Sequence, residues 1–406
     1  MEFTMPNLRH LRVFMEVARC RSISKAAPLV FLSQPAITQA IGKLEAQLET
    51  ELFERHSNGM FPTPSGEALY NRISRCMGYL ERGIRAAQKS AQSQNGGPSS
   101  LLPLLTTTQL RALIAITESH SFSVASRNLD LSQSSLHRAG RELEHLLGIT
   151  LFEKARTGIT PTRAAELLAR AAKLGFAEIK QGHYEISALQ FREVGRIIMG
   201  SMPLARTSIL PDVINRFSMA HPDIGINVVD APYDDLLFHL RNGDLDLLIG
   251  ALRFPAPADD IIQEELLAPP LAIIGRKDHP LRLRGSLTLE DIGQYGWVVP
   301  RTGTPTRAFF DTLFSDRGIR QPTRLIETSS QILIRELLSG SDRLTLISTH
   351  QVEHELRQGI LGVIPYSLSH TRRPIGLTLR RDWQPTPTQS HFIEMLKEAA
   401  SRYSDI

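Results

Sequence analysis

Cysteine is nearly absent from the 406 residues: Cys20 and Cys76 are the only two, which excludes a disulfide framework and a cysteine-based zinc cluster. A reducing compartment is the expectation, and both thiols read as small buried or interfacial hydrophobes. Long apolar runs are missing as well. No stretch reaches the roughly 20 residues of a membrane span, and no amino-terminal apolar run leads to a small-residue cleavage site, so a cytoplasmic protein without membrane contact is expected. Glycine-rich phosphate loops and a nucleophile beside a base are also lacking. The nearest approach to a metal pair is His350-x-x-x-His354, which on a helix shares one face, but no third ligand falls in register and no Glu follows the first His. No catalytic residue, metal ligand or cofactor is expected.

The formal net charge of +4 is small and unevenly spread. Residues 1–185 hold 22 Lys and Arg against 16 acids, while residues 186–406 hold 24 against 26. The basic excess lies in the front half, as expected of a nucleic-acid-binding end beside a neutral ligand-binding end. A chain of this length also exceeds one ordinary core, so several domains are expected.

What is present is a duplication. Shifting the sequence by 99 positions aligns residues 11–67 with 110–166 without a gap, and 19 of the 57 pairs are identical. In the first copy, Leu32-Ser-Gln-Pro-Ala-Ile-Thr-Gln-Ala-Ile-Gly-Lys-Leu-Glu45 reads as a helix with Ser33 as N-cap and Pro35 in the first turn. Ile37, Ile41, Leu44 and Leu48 make its apolar stripe. Gln34, Pro35, Thr38, Gln39 and Gly42 face elsewhere, a short, uncharged, hydrogen-bonding surface suited to base edges in a major groove. An ordinary solvated helix face is the competing reading. Each copy continues the pattern: a helix near 8–19, a short second helix entered through Ser24, a tight turn, the presented helix and a Gly-containing excursion, which is helix-turn-helix plus wing.

The run Ala26-Ala27, Leu32-Ser-Gln-Pro-Ala-Ile37, Ile41, Leu44-Glu45, Leu48, Leu52-Phe-Glu-Arg55, Pro62-Thr63 and Ser65-Gly66 resembles the DNA-binding domain of LysR-type transcriptional regulators. The resemblance implies base reading by Pro35, Thr38 and Gln39, and backbone or wing contacts by Ser33, Gln34 and Arg55. Capping by Ser33 is compatible with phosphate contact, and Leu52 and Phe53 read as core. In the second copy the expected contacts are Ser132, Gln133, Ser135, His137 and Arg138. The copies diverge. Glu49 stands where Gly148 ends the second presented helix, so a different helix end is expected in the first module. Gly140 replaces Ile41 in the stripe, Glu142 replaces Lys43, and His137, Arg138 and Arg141 add basic groups. The first copy is expected to be the principal reader. A second such domain is unusual in the family, and the second copy is either a further DNA contact or a spacer or dimerisation unit.

Both wings lead into helices with coiled-coil spacing: Leu69, Ile73, Met77, Leu80, Ile84 and Ala87, then Leu168, Ala172, Gly175, Ile179, Gly182, Ile186 and Leu189. They resemble the family's linker helix, which pairs subunits. For the first, a helix lying on its own domain competes, because Ser90–Ser100 has the composition of a flexible linker.

From Gly195 apolar runs alternate with amphipathic helices, the texture of an α/β domain with mostly parallel sheets and a crevice at strand ends. The segments Leu210-Pro211, Leu240–Gly250 and Asp278-His-Pro-Leu281 resemble the family's effector domain, itself similar to periplasmic solute-binding proteins. Thr302–Arg307 and Arg372–Leu377 look most like the branch that regulates sugar-binding-protein genes. The expected architecture is two all-α winged helix-turn-helix modules, 1–66 and 101–165, and an α/β two-lobed periplasmic-binding-protein-like domain, 193–406. A linker helix and flexible linker fill 67–100, and a second linker helix fills 166–192. Lobe one takes 193–275 and 370–406, and lobe two takes 276–369. Strand ends and the resemblance assign the crevice to Ser201, Met202, Ala251, Arg301, Thr302, Thr304 and Thr328, with Arg301 or Arg307 near helix N-termini to hold a carboxylate or a polyol. The expected partners are double-stranded DNA, a small-molecule effector (a sugar or an organic acid) and further copies of the chain, as a homodimer or homotetramer. A cytoplasmic solute receptor or an enzyme on this fold, with helix-turn-helix modules used only for assembly, is the alternative.

Overall fold

The computed structural model describes residues 3–92, 98–156, 158–207, 209–368 and 371–404. The chain divides into two compact units, Met1–Gly195 with Asn242–Asp244, and Arg196–Arg241 with Leu245–Ile406.

The first unit contains both copies of the repeat. Helices α1 (Leu8–Cys20), α2 (Ile23–Val30) and α3 (Gln34–Leu48) lead to the hairpin β1 (Phe53–His56) and β2 (Gly59–Pro62), then to α4 (Pro64–Ser90). After a short α5 (Pro98–Leu101), the second copy repeats the series as α6 (Thr107–Ser119), α7 (Phe122–Leu129), α8 (Gln133–Leu147), β3 (Phe152–Ala155), β4 (Gly158–Pro161) and α9 (Arg163–Leu189). Of the expected flexible linker, residues 93–97 lie outside the described residues. Both long helices start three residues ahead of the expected boundaries, capped by Thr63 and Thr162. The short second helix is capped by Ser22, whose Oγ accepts from Lys25 N, and not entered through Ser24. Its counterpart Ser121 does the same for Val124 N.

The residues shared by the copies hold the wing on the helix. The Glu45 carboxylate accepts from Leu52 N at 2.9 Å, and Glu144 accepts from Leu151 N at 2.8 Å. Each hairpin then docks on the end of its first helix, Met60 N donating to Arg21 O and Ile159 N to His120 O. Gly59 and Gly158 allow this with φ of +144° and +127°, because a side chain there would run into those same carbonyls. The different helix end expected at Glu49 is not found. Glu49 takes φ 53°, ψ 36°, the left-handed cap that Gly148 takes at φ 65°, ψ 31°. A hydrogen bond and the charge of Arg192 hold the Glu49 carboxyl below its usual range, and Gln190 donates to the Glu49 carbonyl.

The two long helices lie against each other along their length, antiparallel. A Cβ on Gly83 would meet Ala171, one on Gly175 would meet Cys76, and one on Gly182 would meet Arg72. Each of these contacts turns into another, or into itself, when the two copies are exchanged by the 99-residue offset. Leu8 N likewise donates to the hydroxyl of its own counterpart, Thr107, at 2.9 Å. The two copies are therefore related by an approximate two-fold axis. The expected stripes make the contact except at Leu189, which is half exposed: Leu69, Ile73, Leu80, Ile84, Leu168, Ala172, Ile179 and Ile186 are all buried in one continuous core with residues of both modules. A smaller core of Ile116, Ala125, Leu136 and neighbours serves the second module. There Phe152 and Ile116 fill the space that Gly140 leaves.

The second unit has two lobes. The chain runs β5 (Gly195–Ser201), α10 (Pro203–Arg206), α11 (Ile209–Ala220), β6 (Ile224–Val229), α12 (Tyr233–Asn242), β7 (Leu247–Ala251) and β8 (Ile261–Leu267). It continues through β9 (Leu271–Arg276), α13 (Leu289–Gly293), β10 (Trp297–Val299), α14 (Pro305–Ser315), β11 (Leu325–Glu327), α15 (Gln331–Ser339) and β12 (Leu344–Ser348). The last elements are α16 (Glu353–Arg357), β13 (Leu361–Val363), β14 (Ile375–Arg380) and α17 (Pro387–Ser404). Strand order is β6-β5-β7-β14-β8 in lobe one and β11-β10-β12-β9-β13 in lobe two. Three expectations need correction. The sheets are mixed, because β14 and β9, which enter from the opposite lobe, run antiparallel to both of their neighbours. For the same reason lobe two begins at β9 and not at residue 276. His350 and His354 do not share a helix either: His350 lies in the 3-10 turn Thr349–Val352 and His354 in α16.

Gly83 decides how closely α4 and α9 approach, since an added Cβ would lie 2.3 Å from that of Ala171. Gly83→Leu is expected to destabilise the first unit by about 3 kcal/mol or more in urea unfolding, whereas Gly78→Ala, with only the Arg82 side-chain tip nearby, should stabilise it by about 0.5–1 kcal/mol. Similar small effects of both would contradict the close contact.

Candidate nucleic-acid interface and ligand cavity

The α3 helix is started by Ser33, whose Oγ accepts from Ala36 N, and pinned from below by its buried stripe Ile37, Ile41, Leu44 and Leu48. Pro35, Thr38, Gln39 and Gly42 follow at helical spacing on the opposite, exposed side, and Ser33 and Gln34 are exposed beside them. The Thr38 hydroxyl donates to Gln34 O at 3.1 Å. Among the described residues nothing lies within 4 Å of a Cβ on Gly42, so the helix offers a flat place for close approach. Arg55, also exposed, lies on the hairpin opposite Met60.

The second copy presents a different surface from the same scaffold. Ser132, Gln133, Ser135, His137 and Arg138 are all exposed. The Ser132 hydroxyl caps Ser135 N at 3.1 Å and contacts the hydroxyls of Ser134 and Ser135. His137 is stacked on Phe122 with ring centroids 3.6 Å apart, and Arg138 donates to Glu142 at 2.7 Å. Where α3 presents amide, hydroxyl and bare backbone, α8 presents hydroxyls, an imidazole held on an aromatic ring, and guanidinium groups. Both surfaces can hydrogen-bond to base edges or phosphates, but not to the same ones.

A cavity of about 130 Å³ opens between the two lobes of the second unit. Met202, Ala251, Thr304 and Thr328 line it, together with Thr306, Gln331 and Arg373. Of the other residues expected there, Ser201 is fully buried with its hydroxyl directed at Met202 O, Arg301 is exposed, and Thr302 bonds Glu327. None of the three is on the cavity wall. Arg307 is occupied by Asp311 at 2.9 Å and Glu327 at 2.8 Å, which hold it protonated. The cationic group of the cavity is Arg373, which sequence reasoning missed. It donates to Thr306 Oγ1, and burial and then the charge of Arg253 push its pKa down to about 10. No carboxylate is bonded to it among the described residues. Gln331 Nε2 is buried without a partner among the described residues, and α14 and α15 begin at the same place, capped by Thr304 and Ser330. Two helix N-termini, an amide unpaired among the described residues and an arginine with no acid bonded to it among them give the cavity a positive character, and the guanidinium geometry is one that a carboxylate can match.

The model for the LysR substrate binding domain matches residues 192–401, and that for bacterial regulatory helix-turn-helix proteins of the lysR family matches twice, at 8–67 and 107–166. The HTH-type transcriptional regulator GalR of Pseudomonas putida is 35% identical over 383 residues, covering 94% of each chain, so the similarity runs through both amino-terminal copies. The structure of a full-length OxyR variant from Pseudomonas aeruginosa has a TM-score of 0.54 at 21% identity and covers 73% of this chain and 94% of its own. Full-length CbnR with its target DNA gives 0.50 at 19%, covering 72% and 98%. The quarter of this chain that those folds leave over is the size of one module with its long helix.

Acidic small molecules that raise the melting temperature of the wild-type protein should fail to do so with Arg373→Gln, a loss of about 2.7 kcal/mol of stabilisation at a concentration 100 times Kd. Thermal melts read this directly. An undiminished shift in the variant would remove Arg373 from the site.

Proposed function

Because the chain belongs to the lysR family of bacterial helix-turn-helix regulators, we propose that it reads double-stranded DNA chiefly through Pro35, Thr38 and Gln39 of α3, under control of a small anionic ligand held between its α/β lobes. Family membership makes it a transcriptional regulator with an effector-binding domain, not an enzyme. The observation that carries the finer reading is the α3 face itself. Its polar groups are exposed, uncharged and aligned, and Gly42 leaves room for the duplex. Ser33, Gln34 and Arg55 then hold the helix in register through phosphates. Ser132, Gln133, Ser135, His137 and Arg138 form a second contact of more electrostatic character.

For the ligand, Arg373 and the helix ends that meet at the cavity favour an organic acid over a neutral sugar. Binding there changes DNA reading only so far as the ligand prefers one arrangement of the lobes, since differential affinity is the only source of free energy for the change. The scarcity of cysteine supports a reducing, cytoplasmic setting. No helix among the described residues is long and apolar enough to cross a membrane. Assembly into homodimers or homotetramers belongs to this reading as well.

Binding to duplex from the neighbouring genes should be sequence-specific, with log affinity falling steeply as log salt rises. Gln39→Ala should relax base preference more than His137→Ala, by about 1–3 kcal/mol of discrimination at the base pair it contacts. Equal or reversed effects in binding to mutated sites would show that α3 is not the principal reader.

A further inference from the structure

We infer that one chain is a complete two-headed DNA reader, in which the α4–α9 pair holds two unlike reading helices, and that its target is a bipartite site with unlike halves. This rests on the reading above, that α3 and α8 both face DNA.

The first support is symmetry. Exchange of the copies maps the contact of Gly83 with Ala171 onto that of Gly182 with Arg72, and sets Cys76 against its own counterpart, Gly175. A duplex has local two-fold axes of its own, so helices related by a two-fold can enter successive major grooves. Here that relation lies within a single chain.

The second support is that the frame is specific for unlike partners. Arg72 is buried and donates to Glu178 at 2.8 Å, to Gln181 at 2.8 Å and through Nε to Glu185 at 3.0 Å. Arg75 reaches the other Glu178 oxygen at 2.9 Å. Burial opposes the charge on Arg72, and Glu185 and Glu178 restore it. Nothing in this cluster is two-fold symmetric. The counterparts of Arg72, Glu178, Gln181 and Glu185 are Ala171, Tyr79, Arg82 and Ala86. Pairing α4 with an α4 of another chain would bury each Arg72 against Tyr79, Arg82 and Ala86, with no acid. Pairing α9 with α9 would bury Glu178 and Glu185 against Ala171, with no cation. A buried charge without its partner is strongly unfavourable, so the cluster selects α4 with α9. A polar group at a helix seam commonly fixes partner choice in this way.

The third support is the difference between the reading faces. Pro35, Thr38, Gln39 and Gly42 correspond to Ser134, His137, Arg138 and Arg141. Two faces this different cannot prefer the same base sequence, so the halves of the site differ.

Two experiments on the full chain test the inference. A Cβ at position 175 would lie 3.0 Å from Cys76 Sγ, a separation compatible with a disulfide between the two positions. The chain carrying Cys20→Ser and Gly175→Cys, refolded in glutathione redox buffer, should form a Cys76 to position-175 bond within one chain, running as a monomer on non-reducing denaturing gels. A covalent dimer would show pairing between chains, and two free thiols would show that the helices do not meet; either result overturns the proposal. In parallel, wild type should select two unlike half-sites from randomised duplex. Gln39→Ala should reduce preference about tenfold in one half and Arg138→Ala in the other. Matching halves that both relax with Gln39→Ala would overturn the two-headed chain while leaving DNA reading by α3 intact. No selection of any sequence by wild type would refute the DNA reading itself.

Discussion

The structure of the first unit depends on how closely α4 and α9 can approach. Gly83, Gly175 and Gly182 remove the side chains that would hold the backbones apart, and the buried Arg72 cluster sets which helices can use that closeness. An apolar seam alone would tolerate several pairings, since Leu and Ile stripes are interchangeable. The buried charges are not. They contribute specificity more than stability, because the attraction between Arg72 and its acids is offset by the loss of water around all of them. With the pair fixed, each module sits at a defined place on its own long helix, and α3 and α8 are positioned by the same frame.

Much of this is legible in the sequence because it is local and repeated. Ser33 and Ser132 cap as their positions suggest, and the apolar stripe of α3 is buried as its spacing requires. The gapless offset of 99 gives the duplication outright. What was not legible depends on partners far along the chain. Heptad spacing in α4 and α9 shows that each has a partner but not that they are each other's. Arg72 looks like any surface arginine until Glu178 and Glu185 are brought beside it. Strand β9 reads as a continuation of lobe one because the crossing between lobes leaves no mark in hydrophobic pattern. Arg373 was missed for a similar reason: it lies in the return segment to lobe one, just ahead of β14, and not at the carboxyl end of a strand, where a crevice is sought.

The two helix-turn-helix copies present different faces on a common scaffold. Wing docking, helix capping and the glutamate that holds each hairpin are retained in both, as Glu45 and Glu144 show. The outward faces share little beyond Ser-Gln at the helix start. Such a division separates what positions a reader from what it reads, and under the proposal above it lets the two halves of a site be read by different chemistry. The lobed unit brings a third chemistry, a cavity, proposed above as an anion site, at which two helix N-termini meet Arg373, which has no acid bonded to it among the described residues.

The central claim is that both heads of the reader belong to one chain. The most direct measurement is the ratio of protected half-sites to bound chains, from the mass of the intact protein–DNA complex and footprinting on the same duplex. Two half-sites per chain is the predicted value, whatever the number of chains assembled. One half-site per chain would contradict it.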